Sequence, residues 1–92
     1  MATQQQVYKT TGKKTIFTEN CQFAVFSIIV SPGSVFTLLT AIDASGSGIL
    51  VEDPFYKNYK YNAQGTIFYP GKFVIDITAA GAGITVQCKT YP

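Results

Sequence analysis

From residue 15 to the C-terminus the chain is a succession of short runs rich in Val, Ile, Phe, Tyr and Thr, each closed by a Gly or Pro cluster. Branched and aromatic side chains of this kind fit a pleated, half-buried strand. No segment sustains an apolar spacing of three and four residues, so no helix longer than a turn is expected. The pattern predicts strands at about 15–19, 22–30, 35–42, 49–52, 57–61, 65–69, 72–78 and 84–90. Packed into one short domain, they describe an all-β fold: a seven- to eight-stranded antiparallel β-sandwich or jelly roll, with a small barrel as the remaining arrangement. A chain of 92 residues holds one such domain, assigned to residues 15–92.

Alternation along the strands indicates which faces are dry. In 72–78, Phe73, Ile75 and Ile77 oppose Lys72, Val74, Asp76 and Thr78; in 84–90, Ile84, Val86 and Cys88 oppose Thr85, Gln87 and Lys89. One wet face is expected for each. The run from Phe23 to Val30 differs, with Phe26, Ile28 and Val30 on one side and Phe23, Val25 and Ile29 on the other. A two-layer sandwich covers one face of a strand, so Phe23, Val25 and Ile29 require a loop, an arm or another subunit. Self-association through this strand is the expectation.

Residues 1–14 carry only Val7 and Tyr8 as large apolar groups among Gln4-Gln5-Gln6, Thr10-Thr11-Gly12 and Lys13-Lys14. They read as an extended N-terminal arm with too little apolar area to fold by itself. Val7 and Tyr8 would anchor it on its own domain or on a neighbouring subunit, where it could add a strand to an exposed sheet edge. The first residues place no positive charge ahead of an apolar stretch, so no secretion signal is expected. The longest apolar run stops at Ser31-Pro32-Gly33, well short of a bilayer span, and no membrane segment is expected.

The chain has no His, Arg or Trp, and only 13% of its residues are charged. Without His, nucleophilic or acid–base catalysis falls to Lys and five carboxylates, none placed by a motif. Glu52 and Asp53 are adjacent and would point to opposite faces of a strand. Two cysteines far apart in sequence do not make a zinc site. The expectations are therefore no enzyme, no metal and no cofactor. Cys21 and Cys88 would be either buried free thiols or a disulfide, which the sequence leaves open. Asp43-Ala-Ser-Gly-Ser-Gly48 and Ala79-Ala-Gly-Ala-Gly83 are small-residue loops without the phosphate-loop pattern. Ser31-Pro32-Gly33-Ser34 and Tyr69-Pro70-Gly71-Lys72 each place Pro second and Gly third, the pattern of a type II turn with positive φ at the glycine.

The segment Phe55-Tyr-Lys-Asn-Tyr-Lys-Tyr61 interleaves four aromatics with two lysines. If extended, it sets Phe55, Lys57, Tyr59 and Tyr61 on one side and Tyr56, Asn58 and Lys60 on the other. Such a surface suits a protein interface, a plain strand face, or stacking on bases or sugar rings. The absence of arginine weighs against specific nucleic-acid binding. Tyr56, Tyr59 and Tyr61 are the candidate contacts, with a glycan as a secondary ligand.

Ser34-Val-Phe-Thr-Leu-Leu-Thr40, followed by Asp43–Gly48, Gly65-Thr-Ile-Phe-Tyr-Pro-Gly-Lys-Phe73 and Ile77-Thr-Ala-Ala-Gly81, resembles small all-β virion proteins of tailed bacteriophages over about residues 23–90. The aromatic and lysine insert at 55–61 departs from that texture. The resemblance implies a virion protein, above all a capsid decoration (cement) protein bound outside the shell as a homo-oligomer, with a trimer favoured, and with the major capsid protein as partner. A tail or fibre component, or an adhesin-like carbohydrate-binding module, is the alternative it leaves. It names no catalytic residue.

Overall fold

A computed structural model describes residues 2–45 and 49–92; Met1 of the expected arm and residues 46–48 of the Asp43–Gly48 loop lie outside them. The expectation of an all-β sandwich holds: β1 (Ala2–Tyr8), β2 (Gly12–Thr18), β3 (Phe23–Val30), β4 (Val35–Ala41), β5 (Val51–Glu52), β6 (Ala63–Phe68), β7 (Lys72–Ala79) and β8 (Ile84–Tyr91) form two four-stranded antiparallel sheets. One sheet runs β1-β8-β3-β6 and the other β2-β7-β4-β5.

Between the sheets lie Phe26, Ile28, Ile84 and Val86 from the first, and Phe36, Leu38, Phe73, Ile75 and Ile77 from the second, all buried. Phe73 is the aromatic centre, with Phe17 and Phe26 tilted against it at 5.8 and 5.4 Å between ring centroids. Gly65 leaves room for the Phe26 ring, whose Cε1 and Cζ would stand 3.2 Å from any Cβ added there. At one end, Ser34 donates its hydroxyl to the Ala80 carbonyl at 2.9 Å and the Ala82 amide donates to Ser31 Oγ at 3.0 Å, tying the β3–β4 turn to the β7–β8 turn.

Four expectations are corrected. In its described residues the expected arm at 1–14 takes one of its expected placements, on its own domain as an added strand at a sheet edge, but it is not a separate arm: Ala2–Tyr8 pairs with β8 over seven residues, from Ala2 opposite Thr90 to Tyr8 opposite Ile84, and Gly12–Lys14 opens β2. A strand at the margin of a sheet is held by main-chain bonds more than by burial, so it needs little apolar alternation. No strand covers 57–61. Pro54–Tyr56 forms a 3-10 turn capped by the Asp53 carboxylate, which accepts from the Phe55 amide at 2.9 Å, and Asn58 then takes a left-handed φ of 51°. That reversal carries Tyr56 and Tyr59 inward, which an extended segment would not do.

The outer face of β7 is dry at Val74, which sits between Thr15 and Leu39 and is buried, as are Leu39 and Thr37. Only the first of the two Pro-Gly sites is the expected turn: Gly33 has φ 86° and the Ser34 amide donates to the Ser31 carbonyl at 3.1 Å. At the second, the left-handed residue is Tyr69, with φ 52°. Gly71 serves close approach instead, since a Cβ there would overlap the Asp43 backbone, and its amide donates to the Ala41 carbonyl at 2.7 Å.

Candidate interaction surface

Register places the side chains of the outer face of the β1-β8-β3-β6 sheet in rows that cross the strands. Gln5, Gln87, Ser27 and Gln64 form one row, and the Gln87 amide donates to Gln5 Oε1 at 3.2 Å. On one side of it Val7, Thr85 and Ile29 line up; on the other stand Lys89, Val25 and Thr66, and beyond them Tyr91, Phe23 and Phe68. The face is thus polar across its middle and apolar towards both ends. Val7 is 48%, Val25 41%, Ile29 51% and Phe68 71% exposed, and nothing among the described residues covers them. A shallow concavity of about 720 Å³ runs over the polar row, lined by Gln5, Gln64, Gln87, Val25, Lys89 and Tyr91 among others.

At the aromatic end of this face Phe23 and Tyr91 are packed together while Phe68 beside them stands exposed. Phe23 stacks on Tyr91 at 4.4 Å with planes 13° apart, and the Lys89 ammonium stands 5.3 Å from the Tyr91 centroid. Lys89 is the one charged side chain in these rows, so the face is weakly positive.

Of the residues singled out in the sequence, Val7, Phe23, Val25 and Ile29 share this face, Val7 and Ile29 on one side of the polar row and Val25 and Phe23 on the other. Tyr8 does not join them. Its register is that of the inner face, it is half-buried against the core, and burial pushes its hydroxyl above the usual tyrosine range. Tyr56, Tyr59 and Tyr61 lie elsewhere, in a chain of edge-to-face contacts: Tyr56 meets Phe26 at 5.9 Å, Tyr59 meets Tyr56 at 5.1 Å and Phe36 at 5.7 Å, and Tyr61 meets Tyr59 at 5.7 Å. Tyr56 and Tyr59 are half-buried and close the side of the sandwich, while Tyr61 is exposed. Tyr56 and Tyr59 are taken up by these contacts, and Tyr61 is the exposed member of the chain.

The same segment closes the free side of β4. Phe36 and Tyr59 exchange backbone bonds of 3.0 and 2.7 Å, and the Asp53 amide donates to the Leu38 carbonyl at 2.9 Å. Lys57 pairs with Glu52 at 3.3 Å in the open. Aromatic interleaving with lysine here reflects a sheet edge being sealed and solubilised.

Sequence reasoning missed Phe68 on the outer face and the exposed Ile42, Ile49 and Val51 on the segment before the 3-10 turn. Phe68 had a signal: it follows Ile67 in a run read as one strand, and alternation alone puts the two on opposite faces. Cys21 and Cys88 are free thiols. Burial, with smaller contributions from Cys21 and Glu19, pushes the Cys88 thiol up to about 11, and burial followed by Glu19 raises that of Cys21. Such thiols are poor nucleophiles at neutral pH. Among the described residues no three His, Cys, Asp or Glu side chains converge as a metal site, and no helix is long and apolar enough to cross a membrane. No family model, no curated protein and no solved structure matches the chain.

Proposed function

We propose that the protein is a non-enzymatic structural component of a virion, a capsid decoration protein that docks on the shell of a tailed bacteriophage and self-associates there. The observation that carries this reading is the outer face of the β1-β8-β3-β6 sheet, with Val7, Val25, Ile29 and Phe68 exposed around a row of amides. Apolar side chains at both ends with polar groups between them suit a protein partner, which excludes water from the ends and satisfies the amides in the middle. The half-burial of Tyr56 and Tyr59 leaves Tyr61 as the one exposed ring of the three, which favours the protein partner over a glycan.

We also propose that the sandwich is a jelly roll. The pairs β1·β8, β2·β7, β3·β6 and β4·β5 are those of one long hairpin folded back on itself, and β8·β3 and β7·β4 are the contacts made when that hairpin is rolled up. Jelly rolls recur in viral capsid and lectin domains, which agrees with the resemblance of residues 23–90 to phage virion proteins. Fold-level agreement adds weight and assigns no function by itself.

The test is sedimentation of the purified protein with purified capsids of the phage that encodes it. The reading expects saturation at a fixed number of copies per capsid; absence of binding, or unsaturable binding, would reject it.

A further inference from the structure

We infer that the outer edge of β1 is a pairing site for β1 of a second copy, and that two chains join through it into one continuous eight-stranded sheet about a two-fold axis. This inference deepens the self-association above but does not need a capsid: the free protein would make the same contact.

Each sheet has two edges; both edges of the β2-β7-β4-β5 sheet carry devices that discourage pairing, and β6 carries a partial one. The β2 edge has a register shift between Thr15 and Phe17 and carries Lys13 and Lys14. On the other side of that sheet β5 is two residues long, and the rest of β4 is closed by Asp53 and Tyr59. At β6 the Tyr56 hydroxyl donates to the Gln64 carbonyl at 3.4 Å, and the strand runs into the left-handed Tyr69. Bulges, edge lysines and covering segments are how sheets avoid joining edge to edge.

β1 has none of these. It pairs with β8 from Ala2 to Tyr8 without a register shift, contains no Pro and no charged residue, and is the terminal strand of its sheet. Its outward N–H and C=O groups have no partner strand among the described residues, and an antiparallel strand satisfies them best.

The sequence of β1 suits its own copy. Full antiparallel overlap of residues 2–8 places Gln5 opposite its counterpart, Gln4 opposite Gln6 and Thr3 opposite Val7. No like charges meet, because the strand has none. A two-fold axis normal to the sheet keeps each outer face outward, so the row Gln64, Ser27, Gln87 and Gln5 continues into the same row of the second copy. The Gln87 to Gln5 bond already runs along that line, and amide ladders across adjacent strands stabilise just such sheets. The contact is isologous about the two-fold axis, so this edge closes at two copies and does not by itself propagate into a fibre. The paired faces then present Val7, Val25, Ile29 and Phe68 twice on one surface.

Pairing along one strand edge falls in the class of small, transient interfaces below about 1,200 Å², so the dimer is expected to be weak and to show only at high concentration. The test is sedimentation equilibrium of the full chain up to about 1 mM, with Gln5→Lys and Gln64→Lys compared, and copper–phenanthroline oxidation of Gln5→Cys beside the unmodified protein. Both lysines sit on the same exposed row, one at each edge. The inference expects a concentration-dependent dimer that Gln5→Lys weakens at least about 10-fold and Gln64→Lys leaves unchanged, and a cross-linked dimer from Gln5→Cys alone. A monomer throughout, with no cross-linking of Gln5→Cys, overturns it. So does a dimer broken by Gln64→Lys and indifferent to Gln5→Lys. If the free protein dimerises as expected yet never binds capsids, this contact stands and the decoration reading fails.

Discussion

Gly33 and Gly71 occupy the same position in two Pro-Gly dipeptides but are required for different reasons, and substitution separates the two. At Gly33 the backbone has φ 86° and an added Cβ meets nothing within 4 Å, so alanine suffers only the left-handed conformation. That costs about 1–2 kcal/mol, partly offset by about 0.4–1 kcal/mol from a stiffer unfolded chain. Asparagine, which tolerates this conformation, should recover most of the loss. At Gly71 the obstacle is the Asp43 backbone, which cannot rotate away as a side chain can. Making room moves the segment from Ala41 to Asp43, lengthens the 2.7 Å bond from the Gly71 amide to the Ala41 carbonyl, and overpacks the site. The lost bond is worth about 1 kcal/mol and overpacking about 1–3 kcal/mol, together about 2–4 kcal/mol. Against a total of roughly 5–14 kcal/mol for a domain of this size, that is a large fraction. At about 4–8 °C per kcal/mol, Gly71→Ala should lower Tm by about 10–30 °C, and Gly71→Asn should be no better. Thermal and urea unfolding of the four variants checks this. A Gly71→Ala protein within about 2 °C of the parent, or rescue by Asn at Gly71 rather than at Gly33, refutes the assignment.

Two further predictions concern the core. Phe73→Ala removes the fully buried ring between Phe17 and Phe26 and should cost about 3–5 kcal/mol in urea unfolding. Because the folded Cys88 thiol holds its proton to about 11 against an ordinary 9.0, the folded state binds more protons than the unfolded one between those values. Stability should therefore be intact below pH 9, fall between about pH 9 and 11, and fall less steeply in Cys88→Ala, measured as the urea midpoint against pH.

Much of the fold is legible because alternation and turn residues act locally. Phe26, Ile28, Phe73, Ile75 and Val86 all lie on the faces that periodicity assigns, and Val25 and Ile29 stand exposed on the second face of β3. β1 was legible only as a segment able to add a strand to a sheet edge, because such a strand is held by the backbone of β8, which leaves no apolar period in Gln4-Gln5-Gln6. The segment 55–61 misled in the opposite sense. Its aromatics satisfy strand propensity, yet Pro54, the Asp53 cap and the left-handed Asn58 turn it, and Tyr56 and Tyr59 then bury against Phe26 and Phe36. Glycine roles were legible only by half: a positive φ follows from a Pro-Gly pattern, whereas the approach of Asp43 to Gly71 depends on residues far apart in the chain.

The central claim, that the outer face of the β1-β8-β3-β6 sheet meets a protein partner, is tested most directly by capsid co-sedimentation of the paired variant Val25→Asp with Ile29→Asp. Both side chains are about half exposed on the free subunit and lie on a central strand, so the variant should lose about 1–3 kcal/mol and remain folded. On the partner they become buried charges, and capsid affinity should fall at least about 100-fold, as expected when two uncompensated carboxylates are desolvated. A folded variant that binds capsids as tightly as the parent would contradict the claim.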